Sequence, residues 1–248
     1  MTLAGRSALV TGGGSGLGAE LARGLADAGA TVWIAGRRMA ALERVAESHP
    51  ALCPVQCDVT DPAAVRAMFD AAGDPQIVVA NAGAAESAPL HRTSDDLWQH
   101  MLAVNLTGVF HVLREGYSRL RQAEWGRLIA VASTAGLKGY PYVTAYTAAK
   151  HGVVGLVRAA ALETARTKVT VNALCPGFLD TEMTDRSVAN IVEKTGMSPD
   201  DARAELAKNS PQKRLIRPAE VTAAALWLCG PGSEGITGQA ISISGGET

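Results

Sequence analysis

The stretch Thr11-Gly12-Gly13-Gly14-Ser15-Gly16-Leu17-Gly18 decides the fold. A short apolar run, Ser7–Val10, precedes it. Behind it Leu17, Leu21 and Leu25 recur at i, i+4 and i+8, the spacing of one helix face. The order is therefore strand, glycine-rich turn, helix. Glycines are needed where a backbone bends sharply and comes close to a phosphate. The helix N-terminus adds free N–H groups and the positive end of a dipole. A pyrophosphate fits such a turn, so Gly12, Ser15, Gly16, Leu17 and Gly18 are read as dinucleotide contacts. A glycine-rich turn that serves only packing is the plainer alternative.

Outward from this turn, short apolar runs alternate with longer amphipathic ones. Strands are expected at Ser7–Val10, Thr31–Ala35, Leu52–Gln56, Ile77–Ala80, Arg127–Ala132, Thr170–Leu174 and Ala240–Ile243. Helices are expected over about 94–119 and 144–167, and from Pro218 to just before Gly230. Runs such as IVVA and LIAVA are continuously apolar, the pattern of strands buried on both faces. Strand-helix alternation implies parallel βαβ units with right-handed crossovers. An eightfold β/α barrel is the rival, and the glycine turn favours an open sheet. The expected fold is α/β: one Rossmann-like, three-layer domain over 1–248, with a doubly wound parallel sheet of about seven strands and helices on both faces.

Composition narrows the function. Apolar residues are 47% and charged residues 19% of the 248, which excludes a disordered chain. Lys plus Arg number 23 against 24 Asp plus Glu, so no basic excess exists to neutralise nucleic-acid phosphates. No run reaches the ~18 apolar residues of a membrane span, and no signal-peptide region precedes the first glycines. A cytoplasmic protein without membrane or nucleic-acid partners is expected. Cys53 and Cys57 are followed by no second ligand pair, so no metal site is expected, and Cys53, Cys57, Cys175 and Cys229 read as free thiols.

The nucleotide's identity turns on Gly36-Arg37-Arg38, which follows the second strand. Many dinucleotide sites place an acid there for the ribose 2′-hydroxyl. A guanidinium instead pairs with a 2′-phosphate. NADP(H) is thus favoured, with NAD(H) still open, because Arg37 and Arg38 also suit a solvated helix start.

A second constellation carries chemistry. Ser133 ends the strand LIAVAS, and Tyr146 and Lys150 fall in TAYTAAKHG. Positions i and i+4 share a helix face. Open α/β sheets place ligands at the carboxyl ends of their strands, which puts Ser133 beside the cofactor. Reducing a ketone requires hydride at carbon and a proton at oxygen. A free tyrosine titrates near ~10, and the Lys150 ammonium with a positive nicotinamide is expected to lower that value. Ser133 can orient the carbonyl oxygen, and Lys150 can also hold the nicotinamide ribose. None of the five histidines fits a catalytic role; His151 reads as surface or interface.

The pattern TGxxxGxG, together with Ser133, Tyr146 and Lys150, resembles the short-chain dehydrogenase/reductase family along the whole chain. The resemblance implies further roles. Arginine after the second strand often accompanies NADP preference. Asp58, with Val59, resembles the family's adenine contact; an Asx-type cap for the helix after Pro62 is the alternative. Asn81-Ala82-Gly83 resembles the family's turn after the fourth strand. Asn105 resembles the active-site Asn whose helix kink holds a water beside the lysine, or it is simply a bent helix position. Pro176, Gly177, the backbone near Leu179 and the Thr181 hydroxyl resemble the segment that holds the nicotinamide carboxamide.

The same resemblance makes about 182–215 a substrate lid, with Met183 and Met197 suited to an acyl group. Lys213, Arg214 and Arg217 are either solvated or attract a carrier's phosphate. The motifs NLTGVF, KHGVVGL and TVNALCPGF look most like 3-oxoacyl-thioester reductases and polyketide-type ketoreductases. A small carbonyl or alcohol substrate is expected, carried as a CoA or carrier-protein thioester. The rivals are an NAD(H)-dependent dehydrogenase of another secondary alcohol and a non-catalytic NADP-binding sensor. Intact Ser133, Tyr146, Lys150 and Asn105 argue against the sensor. The long helices carry more apolar surface than one sheet face covers, and the resemblance suggests a homotetramer.

Overall fold

Successive residues of a strand point to opposite faces of its sheet, so a strand covered by helices on both sides must be apolar throughout. Leu9, Val78, Leu128 and Val171 belong to one buried cluster, while their neighbours Val10, Val79 and Ile129 belong to the other. The computed structural model describes residues 2–248.

The chain begins with β1 (Ser7–Thr11), α1 (Gly16–Asp27), β2 (Thr31–Gly36), α2 (Met39–Ala46), β3 (Leu52–Gln56), α3 (Pro62–Ala72) and β4 (Ile77–Ala80). It continues with α4 (Asp95–Leu102), α5 (Gly108–Leu120), β5 (Gly126–Val131), α6 (Thr144–Thr164) and β6 (Val169–Pro176). It closes with α7 (Glu182–Thr195), α8 (Pro199–Ala207), α9 (Pro218–Cys229) and β7 (Ala240–Ile243). All seven strands are parallel, in the order β3-β2-β1-β4-β5-β6-β7. Val65, Phe69, Val112, Val153 and Val157 from α3, α5 and α6 cover one face. Leu21, Leu25, Val221 and Leu228 from α1 and α9 cover the other. From β1 the chain winds outward to β3, then returns to place β4 on β1's other side. That reversal opens a crevice at the carboxyl ends of β1 and β4.

Local signals explain most boundaries. Pro218 opens α9, the Glu220 carboxylate accepts from the Arg217 backbone N–H, and the helix stops before Gly230. Asp61, not Asp58, caps α3 by accepting from Ala63 N at 2.8 Å. The helix expected over 94–119 is not continuous. A π-helical turn, Ala103–Thr107, separates α4 from α5. There the Asn105 amide donates to the Met101 carbonyl, and Gly108 packs on Val59. Helix α6 ends at Thr164, short of the expected 167. Among the described residues, no helix is long and apolar enough to cross a membrane.

Candidate active site

The end of β1 and the start of α1 form the glycine turn. Gly12 has φ +68°, and a Cβ there would lie 2.9 Å from the Ala82 backbone. A side chain at Gly18 would collide with the Gly12 carbonyl. The turn is thus pressed against the segment after β4. Asn81 Nδ2 donates to Thr11 O at 2.9 Å, and the N–H groups of Asn81 and Ala82 donate to Thr11 Oγ1. Thr11, the first residue of the glycine turn, thus ties the two segments together. The Ser15 side chain makes no capping bond, and α1 has no acid in its first turn. The first amides of α1 are therefore left for an anion, as a pyrophosphate needs. Leu17 is buried in the core, so only its backbone can reach a ligand.

Beyond β2, Arg37 and Arg38 are exposed. The Asp58 carboxylate accepts from Thr60 N at 2.9 Å and Thr60 Oγ1 at 2.8 Å. The Thr60 bonds, with the Arg37 charge nearby, hold Asp58 below the usual carboxylate range. Asp58 is thus an Asx turn rather than the α3 cap. Val59 is buried against Gly108, and its carbonyl meets His111 Nδ1 at 3.0 Å. A groove of about 440 Å³ beside Gly14, Ser15 and Gly16 is also lined by Arg44, a cation the sequence reading did not single out.

Ser133 follows β5 and accepts from Ala135 N at 3.1 Å. A Cβ on Gly136 would lie 2.7 Å from the Lys150 carbonyl, so this turn rests directly on α6. Tyr146 and Lys150 share one side of α6, with Lys150 Nζ 5.6 Å from the Tyr146 ring centroid. Lys150 is buried and donates to the Val131 carbonyl at 2.9 Å. Asn105 is fully buried; its amide donates to Ala84 O at 2.9 Å and its Oδ1 accepts from Ala84 N at 3.1 Å. A Cβ on Gly83 would lie 2.9 Å from Asn105 Oδ1 and 3.9 Å from Lys150 Nζ, so Asn105, Gly83 and Lys150 converge. Pro176 and Gly177 leave β6 beside this cluster. Leu179 pairs with Ile216, and Thr181 lies within 3.6 Å of a Cβ on Gly16, joining this segment to the glycine turn.

Residues 12–248 match the family model described as Enoyl-(Acyl carrier protein) reductase. The chain belongs to the short-chain dehydrogenase/reductase family. It is 34% identical to a putative ketoacyl reductase of Streptomyces coelicolor, over 96% of this chain and 95% of that one. It is 33% identical to a D-beta-hydroxybutyrate dehydrogenase of Rhizobium meliloti, over 98% of both chains. Its fold superposes with a TM-score of 0.92 on an actinorhodin polyketide ketoreductase variant solved with NADPH. That match is 33% identical and covers 98% of this chain and 97% of the other. As a short-chain dehydrogenase/reductase, the chain is an NAD(P)-dependent oxidoreductase.

Burial acts on both groups of the Tyr146–Lys150 pair. Burial pushes the Tyr146 phenol above its ordinary value, while its contact with the Ser133 hydroxyl pulls the other way. Burial also lowers Lys150, to about 8. The ammonium is therefore present at neutral pH. Lys150 thus stands as a charge beside the phenol. The buried thiol of Cys175 faces the same cluster and is pushed up to about 11, so it stays neutral.

Proposed function

We propose that this chain is an NADP(H)-dependent reductase that converts a ketone to a secondary alcohol. A 3-oxoacyl thioester or similar β-keto compound is the substrate. The single observation that carries the reading is the shared face of Tyr146 and Lys150 beside Ser133, next to a glycine turn with free helix amides. A bound nicotinamide supplies hydride to the carbonyl carbon. The protein supplies the rest. Ser133 donates to the carbonyl oxygen and orients it. Tyr146 gives its proton to that oxygen as the alkoxide forms. The Lys150 ammonium stabilises the resulting phenolate. Asn105, braced by Ala84 and Met101, keeps the helix bend open beside Lys150 for proton resupply.

In this reading Gly12, Ser15, Gly16 and the Leu17 and Gly18 backbone hold the pyrophosphate. Arg37 and Arg38 take the 2′-phosphate, and Asp58 and Val59 face the adenine. Asn81, Ala82 and Gly83 line the ribose side. Pro176, Gly177, Leu179 and Thr181 hold the carboxamide. Helices α7 and α8 form the lid, and Arg203 of α8 pairs with Asp180 and Asp185 to fasten it. Phe110 on α5 and Leu162 on α6 are exposed, which supports pairing of these helices with a second copy in a homotetramer. Relatedness to the hydroxybutyrate dehydrogenase favours a second reading, oxidation of a β-hydroxy acid with NAD.

The test is Tyr146→Phe. NADPH-dependent reduction of acetoacetyl-CoA should be lost, while NADPH binding, followed by fluorescence, persists. Turnover unchanged by this substitution overturns the proposal.

A further inference from the structure

The segment after β7 turns back toward the carboxyl edge of the sheet and buries one charged side chain there. Glu247 is 2% exposed. Its Oε1 accepts from the Tyr140 hydroxyl at 2.5 Å and pairs with Lys138 Nζ at 3.0 Å. Its Oε2 lies 3.4 Å from a Cβ built on Gly177. The Tyr140 ring meets Phe178 edge-on, with centroids 6.2 Å apart. The Tyr140 oxygen is 2.7 Å from Thr134 Oγ1.

The proton directions follow. A carboxylate only accepts, so the Tyr140 proton points at Glu247 and the Tyr140 oxygen accepts from Thr134. A buried carboxylate costs free energy unless it is paired and hydrogen-bonded, and here both conditions are met. The bonds tie together no two core elements. They join three loops around the candidate site: the one that carries Ser133, the one that leaves β6, and Ser244–Thr248.

We propose that Glu247 is a positioning residue for carbonyl reduction: through Tyr140 and Thr134 it fixes the loop that carries Ser133, and against Gly177 it braces the segment that leaves β6. The inference rests on the ketone-reducing reading above, and its test separates the two. Small displacements of a positioned group carry large rate penalties, so Glu247→Ala should lower kcat for acetoacetyl-CoA about 10- to 100-fold. The dissociation constant of NADPH should change far less than kcat, because among the proposed cofactor contacts only Gly177 meets this network, while the glycine turn and Arg37 lie outside it. Glu247→Gln should restore most of the rate, since its amide oxygen still accepts from Tyr140. Tyr140→Phe should behave like Glu247→Ala. Amide hydrogen exchange over 134–141 should quicken in Glu247→Ala, whatever the substrate. Unchanged exchange, unchanged kcat, a Gln variant as slow as Ala, or NADPH binding that falls with kcat would each overturn the role of Glu247. An active Tyr146→Phe sinks the ketone-reducing reading. An inactive Tyr146→Phe beside a fully active Glu247→Ala sinks only this inference.

Discussion

Replacing Lys150 with Met tests the charge on which proton transfer leans. Its ammonium is buried and lies 5.6 Å from the Tyr146 ring centroid. When Tyr146 gives up its proton, the phenolate forms next to that charge. At an effective dielectric of about 20, the attraction over this distance is about 3 kcal/mol. Losing it should slow kcat on the order of 100-fold. The pH dependence gives a second signature. Burial lowers Lys150 to about 8. The wild-type rate of ketone reduction should therefore hold below that pH and fall as pH rises through it, whereas Lys150→Met should show no such fall. The assay is NADPH oxidation with saturating acetoacetyl-CoA across this pH range, with NADPH affinity measured separately because Lys150 also reads as a ribose contact. A variant that keeps more than a tenth of kcat at neutral pH, or that retains the fall near 8, refutes the reasoning.

The same shift bears on stability. Lys150 is lowered from 10.5 to about 8 on folding, so the folded state binds this proton less tightly than the unfolded chain. Below about pH 8 both states are charged and the full cost, about 3 kcal/mol, is present; it fades as pH rises toward 10.5. Lys150→Met removes that cost but leaves the Val131 carbonyl without its donor, worth about 1–3 kcal/mol. The variant should thus be no less stable than wild type at neutral pH, which thermal melts would show.

Two further outcomes are expected. Arg37→Asp should shift the ratio of kcat/KM toward NAD by about 10- to 100-fold, the worth of one or two charge-assisted hydrogen bonds; an unchanged ratio removes Arg37 from the 2′-phosphate site. Light scattering should give the mass of a tetramer, since Leu162 on α6 is 81% exposed; a monomer overturns the pairing of α5 and α6.

What was legible in the sequence was local. The glycine turn, the apolar strands and the Tyr146–Lys150 pair are each written within one or two elements, so spacing alone reveals them. The strands agree with the sheet to within two residues at each end. The failures are tertiary. The bend at Asn105 is expected from the family resemblance, but its cause, the amide reaching Ala84 21 positions away, is tertiary. Glu247 meets Lys138, Tyr140 and Gly177 only after the sheet has formed. Arg127 sits in a strand as a charge among apolar neighbours, yet it is buried, stacks on Trp125 and donates to Leu228 O at the end of α9. No spacing marks any of these.

Two half-buried tyrosines show how packing assigns roles that sequence leaves equal. Tyr140 and Tyr146 are both lifted above their ordinary values by burial. The Tyr140 proton is committed to the Glu247 carboxylate, and surrendering it would place two negative oxygens 2.5 Å apart. Tyr140 is thereby excluded as an acid. Tyr146 faces the Ser133 hydroxyl rather than a carboxylate, and the Lys150 cation stands ready for its phenolate. A neutral phenol beside an ammonium is the state that gives a proton, so at neutral pH the resting charges suit reduction. The reverse reaction needs the phenolate first. As pH rises through about 8 Lys150 loses its charge, so a phenolate formed under alkaline conditions lacks the neighbour that would stabilise it.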